Sequence, residues 1–106
     1  MKLIMLLVLE DDAPAVRDLL ESHAVTAFSE LPVEGHGQGR HGWYGDTAPF
    51  RSRMIFTAVP AERAQEIMDS VRACTECLHP QHPIHALQLD VEAVVRSGQA
   101  SEPTHP

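Results

Sequence analysis

The sequence predicts an α+β domain of element order βαββαβ, with four antiparallel strands in one sheet and two helices on one of its faces. Three observations carry that expectation. An unbroken apolar run from Leu3 to Leu9 opens the chain, two later segments space their apolar residues at helical intervals, and between those segments two strand-like stretches flank a glycine-rich insert. At 106 residues the chain has room for one domain with a real core, within the size range where oligomerisation often supplements it.

Leu3 to Leu9 stops at Glu10-Asp11-Asp12, the pattern of a central strand covered on both faces. It resembles a signal peptide only superficially, because the run is short and passes into acids without a small-residue cleavage site. A first helix follows. Asp11 or Asp12 can cap it, Pro14 suits its first turn, and Val16, Leu19, Leu20 and His23 fall on one face, His23 as a packing residue. Val25 to Val33 is rich in apolar and β-branched residues, and Arg51 to Val59 resumes a strand pattern, so the two form a hairpin with a long tip. Arg51 and Arg53 alternate on the second of these strands and face an anionic ligand or the acidic surface, the surface being preferred. Pro60 opens a second helix, whose apolar face runs through Ala64, Ile67, Met68, Val71, Cys74 and Leu78 until His79-Pro80-Gln81-His82-Pro83 forbids continuation. Ile84 to Val95 begins as a half-buried strand, with His85, Leu87, Leu89 and Val91 alternating against Ala86, Gln88, Asp90 and Glu92.

The domain therefore spans residues 1–95 with a long loop at 35–50, and the polar stretch 96–106, with Pro103 and Pro106, is a flexible tail. The order is that of the ferredoxin-like split βαβ arrangement. With both helices on one face, the other face of the sheet is uncovered, and its apolar members need a second subunit to bury them.

Fifteen acidic against eight basic residues give a formal charge of -7, which argues against nucleic-acid binding, since that depends on neutralising phosphates with Lys and Arg. No apolar run approaches the ~20 residues that span a bilayer, which argues against membrane insertion. Two cysteines do not make a disulfide framework. A cytoplasmic location is expected.

The insert Gly35-His36-Gly37-Gln38-Gly39-Arg40-His41-Gly42-Trp43-Tyr44-Gly45-Asp46 holds five of the six glycines and the only Trp and Tyr of the chain, a composition that core packing would not select. A long insert of this kind binds something or stays disordered. Backbone N–H groups in a glycine-rich stretch can cradle an anion, aided by Arg40. Trp43 and Tyr44, beside glycines, read as partner-contact anchors, or else fold back onto the sheet. His36, between two glycines, is a ligand contact or a solvated loop residue, and His41 lies further out.

Several stretches together resemble the PII superfamily of trimeric signalling proteins. They are the first strand and helix with His23-Ala24-Val25-Thr26-Ala27, then Glu34-Gly35-His36-Gly37-Gln38-Gly39-Arg40, then Tyr44-Gly45-Asp46, and the strand running into Val59-Pro60-Ala61-Glu62-Arg63-Ala64. The similarity covers about residues 2–95. It implies a PII-like homotrimer whose sheets line a central barrel, with effectors in clefts between subunits and a loop at 35–50 that signals to a protein partner, such as a membrane transporter or an efflux component. It implies adenine-nucleotide binding, with Gly35, His36, Gly37, Gln38 and Arg40 at the loop base as effector-binding residues. Where the family places a second, Gly-Asp-Gly-Lys phosphate loop, this chain has His79-Pro80-Gln81-His82-Pro83, which favours ADP or AMP over ATP.

Cys74, Cys77, His79, His82 and His85 lie within twelve positions, a density that suits zinc or copper. The competing reading makes Cys74 a small buried hydrophobe on the helix and His85 a core histidine. Thiol catalysis is disfavoured because the pair falls at a helix C-terminus, where the dipole opposes a thiolate. The leading expectation is thus a regulatory effector-binding protein. The alternative is a metal-binding protein in tolerance or efflux, related to the CutA kind that shares the trimeric fold. No paired carboxylates or nucleophile elbow point to an enzyme.

Overall fold

The computed structural model describes residues 1–36, 50–73 and 84–98. The chain runs β1 (Lys2–Leu9), a short 3-10 turn (Glu10–Asp12), α1 (Ala13–Ser22), β2 (Ser29–Gly35), β3 (Phe50–Val59), α2 (Ala61–Ala73) and β4 (His85–Asp90). This is the expected βαββαβ order. The four strands form one sheet in the order β2-β3-β1-β4, every pairing antiparallel.

The register explains why β1 is apolar throughout. Leu6 lies opposite Ile55 on β3 and Ala86 on β4, and Ile4 lies opposite Thr57 and Gln88. Directly opposed residues project to the same face, so Ile4, Leu6 and Val8 share one side with Ile55 and Val59. That side is the core. All five are at most 5 % exposed and pack with Val16 and Leu20 of α1 and Ala64 and Ile67 of α2. The alternate residues Leu3, Met5 and Leu7, with Met54, Phe56 and Leu87, face the other way and are only half-buried. β1 is central, as expected, but within one chain it is covered on its helix side alone.

The helices begin and end for local reasons. Asp12 holds the N-cap position of α1 but makes no side-chain capping bond, because the preceding 3-10 turn puts it in helical geometry at φ -96 and ψ -5, whereas a capping side chain works from an extended backbone. Pro14 does fall in the first turn. In α2 the Pro60 carbonyl accepts the first bond, from the Ala64 N–H at 2.9 Å, and Glu62 in the first turn and Arg72 in the last complement the helix dipole.

At the end of α1 the chain turns sharply. The Val25 N–H bonds to the Leu20 carbonyl at 2.9 Å and the Ala24 N–H to the Glu21 carbonyl at 2.9 Å, with Ala24 in the left-handed region at φ 59. These are the two bonds of a Schellman cap, and Val25, 5 % exposed, supplies its apolar contact. Because this cap uses the Val25 amide, the strand cannot begin there. Residues 25–28 form an irregular connection and β2 starts at Ser29, four positions later than the sequence pattern suggests. The last strand likewise stops at Asp90 instead of extending toward Val95.

The cap makes a prediction. A left-handed alanine costs roughly 1–2 kcal/mol that glycine avoids, against a greater loss of backbone freedom for glycine. Ala24→Gly should therefore raise stability by about 0.5–1 kcal/mol in urea unfolding, with the slope unchanged.

Candidate functional site

Two features distinguish the described surface, and β2 and β3 carry them at opposite ends. At one end, Gly35 closes β2, is buried, and pairs in register with Phe50, so both ends of the 35–50 insert are fixed in one ladder. His36 follows it, exposed, with Nε2 3.0 Å from a Glu34 carboxylate oxygen. Both side chains are about two-thirds solvent-accessible, so the pair contributes little to stability. Of the other residues expected to bind effector or partner, Gly37, Gln38, Arg40, Trp43 and Tyr44 lie outside the described residues, as does His41. Ser52, opposite Val33 beside this end, is 2 % exposed and its hydroxyl finds no hydrogen-bond partner among the described residues.

At the other end lies an open groove of about 490 Å³, lined by Leu3, Thr26, Ala27, Phe28, Ser29, Phe56, Thr57 and Ala58. Its volume is in the range of small-molecule sites, and its lining is largely apolar with a few hydroxyls. The Thr57 hydroxyl donates to the Ala27 carbonyl at 2.8 Å and so pins the irregular 25–28 connection against β3, forming the groove's rim. The sequence hid this groove because residues 25–28 read as strand, although Thr26 and Ala27 belong to one of the stretches that carry the family resemblance. The non-glycine left-handed turn at Ala24 is what diverts the backbone there, and alanine gives no signal of it.

Ser29 and Gly35 are six positions apart on β2, so the groove and the first residue of the insert are separated by about 20 Å at the rise of a strand.

Between these ends, on the helix side, Arg17 grips Glu30 with two bonds at 2.9 and 2.6 Å. Arg53 stands 3.7 Å from Glu30 and 3.5 Å from Glu10. The acidic-surface reading of Arg53 is thus the observed one, while Arg51 is exposed and lies opposite Glu34. The Arg17 hydrogen bonds hold the Glu30 carboxyl below the usual range, against a smaller desolvation effect that pushes it up. His23, read as packing, joins the helices: its Nε2 is 2.6 Å from the Ser70 hydroxyl, and its Nδ1 3.8 Å from Glu66.

Of the candidate metal ligands, Cys74, Cys77, His79 and His82 lie outside the described residues. His85 is the first residue of β4, half-buried, on the same side of the sheet as Leu87 and Leu89. That is the side away from the helices, so His85 is not part of the helix-covered core. Among the described residues no three His, Cys, Asp or Glu side chains are grouped to hold a metal ion, and no helix is long and apolar enough to cross a membrane.

The sequence profile of the family described as Nitrogen regulatory protein P-II matches residues 1–99. The chain belongs to the P-II family. Solved structures share the fold of this P-II chain at low identity. A PII-like signalling protein from Thermus thermophilus superposes with a TM-score of 0.63 at 14 % identity, with 85 % of each chain covered. CPII from Thiomonas intermedia K12, bound to ADP, AMP and acetate, gives 0.61 at 16 % identity, with 87 % of this chain and 88 % of that one covered. The same protein described as a nitrogen regulatory PII-like protein, bound to ADP, AMP and bicarbonate, gives 0.60 at 18 %, with 89 % and 94 % covered. No curated protein matches the P-II chain in sequence.

The charge cluster gives a testable pH dependence. Glu30 is more acidic when folded than when unfolded, so the stability it contributes is present above about pH 4.3 and fades as pH falls through the lower folded value. Glu30→Gln should unfold more easily than wild type at pH 7 and show a shallower loss of stability between neutral and acid pH, read by urea titration at each pH.

Proposed function

We propose that the protein is a regulatory sensor, not an enzyme, that binds an adenine nucleotide, ADP or AMP in preference to ATP, in a cleft between two copies of the chain. The observation that carries this reading is the division of the ligand-suited features. The apolar groove suits a nucleobase, which can stack on Phe28 or Phe56. The glycine-rich base at Gly35, His36, Gly37, Gln38 and Arg40 suits phosphates. Gly35 and the groove lie about 20 Å apart along β2, a separation that favours a complete site made from the groove of one copy and the insert base of its neighbour.

The apolar sheet face supplies a reason for the copies to meet. Leu3, Met5, Leu7, Met54 and Phe56 would be removed from water in a homotrimer packed around its sheets, at about 25 cal/mol per Å² of apolar area. The ADP and AMP bound to CPII support the choice of nucleotide. The 35–50 loop would carry the bound state to a protein partner through Trp43 and Tyr44. Hydrolysis or group transfer forms no part of this reading.

Native mass spectrometry with ADP, AMP and ATP offered separately is the direct test. One ADP or AMP per subunit of a trimer is expected, and a monomer that takes up neither nucleotide would end the proposal. The shared site has a sharper consequence. Gly37→Val at the loop base and Ser29→Trp in the groove should each abolish binding. After subunit exchange in an equal mixture of the two dead variants, about a quarter of the sites should reappear, because random assembly pairs an intact loop with an intact groove that often. Sites contained within single chains would give no recovery.

A further inference from the structure

A histidine, a serine and a carboxylate meet where the two helices touch, on the side of the sheet away from the apolar face. His23 holds the C-cap position of α1, with its side chain 20 % exposed. Glu66 and Ser70 lie one turn apart on α2. The His23 Nε2 is 2.6 Å from the Ser70 Oγ, and its Nδ1 is 3.8 Å from a Glu66 carboxylate oxygen. Asp69, the other acid beside Ser70, is engaged along the outside of the helix, where it accepts from Gln65 at 3.0 Å and from Arg72 at 3.2 Å.

The carboxylate decides where the imidazole proton sits. With Glu66 on the Nδ1 side, the neutral ring is favoured with its proton on Nδ1, which leaves Nε2 to accept the Ser70 O–H. A hydroxyl whose proton already points at a base, with an acid behind that base to stabilise the imidazolium, is the arrangement of an activated serine nucleophile. Solvent reaches it, since Ser70 is half-buried and the Glu66 side chain is 63 % exposed. Ser70 lies inside α2, where its backbone N–H is taken up by the helix and is not available to an oxyanion. The donor must therefore bring a good leaving group of its own, and the acids Glu66 and Asp69 favour an uncharged one.

We propose that Ser70 is an activated nucleophile and a covalent modification site that takes a single acyl group from an uncharged activated ester. The Ser70 Oγ forms a bond to the acyl carbon, the bond from that carbon to the leaving oxygen breaks, and the hydroxyl proton passes to His23 Nε2 and from there to the leaving group or to water. Acylation removes the O–H that joins the helices, so the modification is felt at the end of α1, two residues before Val25. The site works independently of any nucleotide.

The test is acetylation of the full-length protein by p-nitrophenyl acetate, followed by trypsin digestion and mass spectrometry. Cleavage after Arg63 and Arg72 releases residues 64–72, in which Ser70 is the only side chain with a hydroxyl, thiol or amine. Acetyl on that peptide therefore reports Ser70 alone. It is expected to form about tenfold or more faster in native than in urea-unfolded protein. His23→Gln can still hydrogen-bond Ser70 but cannot take its proton, so it should lose that advantage while unfolding at the wild-type urea midpoint. Equal rates in native and unfolded wild type, or in wild type and His23→Gln, would overturn the nucleophile. Glu66→Gln changes an exposed side chain and so leaves the fold intact. It should slow acetylation by a factor that shrinks as salt is raised, since the carboxylate acts on the imidazolium partly through solvent. An unchanged rate in Glu66→Gln, or a salt-independent loss, would overturn the role of Glu66 as the positioning residue.

Discussion

An eight-residue strand of nearly unbroken apolar side chains has two apolar faces, and this chain has helices for only one. That constraint on β1 organises the rest of the molecule. Ile4, Leu6 and Val8 fix the helix layer by burying Val16 and Leu20 from α1 and Ala64 and Ile67 from α2. Their neighbours Leu3, Met5 and Leu7 leave a second surface, extended by Met54 and Phe56 of β3, that one copy cannot cover. Burying an aliphatic side chain is worth about 1.5–3 kcal/mol, so the face left open is a substantial part of what a small domain could gain. The apolar face that the proposed homotrimer would cover is thus written into the central strand, independently of any ligand.

The same sheet sets where chemistry can occur. β2 is held to α1 by the Arg17–Glu30 bonds and to β3 by the Arg53–Glu30 ion pair, and the two strands are fixed at one end by the Gly35–Phe50 pair and at the other by the bond from Thr57 to Ala27. Rigid positioning of both the groove and the start of the insert at Gly35 follows from this pairing. On the function proposed above, self-association of a P-II chain built this way would finish a site as well as hide an apolar face.

The element order was legible in the sequence because it depends on features that periodicity reports directly: the apolar run of β1, the spacing of Val16 and Leu20, and that of Ala64 and Ile67. The limits of the strands were harder to read. Val25 looks like a strand residue by composition, yet the Schellman cap takes its amide, and a left-handed Ala24 is sterically atypical and so invisible to propensity. The groove beside it was missed for that reason. Arg53 was placed correctly on the acidic surface, since three acids precede α1 and Glu30 lies on the neighbouring strand. His85 was placed on the right side of β4 with Leu87 and Leu89, but alternation alone cannot say which side of a sheet the helices cover. Gly35, read in the sequence as the start of the insert, pairs in register with Phe50 at the end of the β2–β3 ladder.

That pairing of Gly35 with Phe50 also has a thermodynamic side. Joining the ends of a loop of about 14 residues costs on the order of 2 kcal/mol of chain entropy, and here the ladder meets that cost during folding of the domain. A partner that engages the insert meets a ring already closed, with both stems held in one orientation. A segment tethered at both ends has fewer arrangements to lose on binding than a free terminus of the same length, so a contact with few side chains could suffice there.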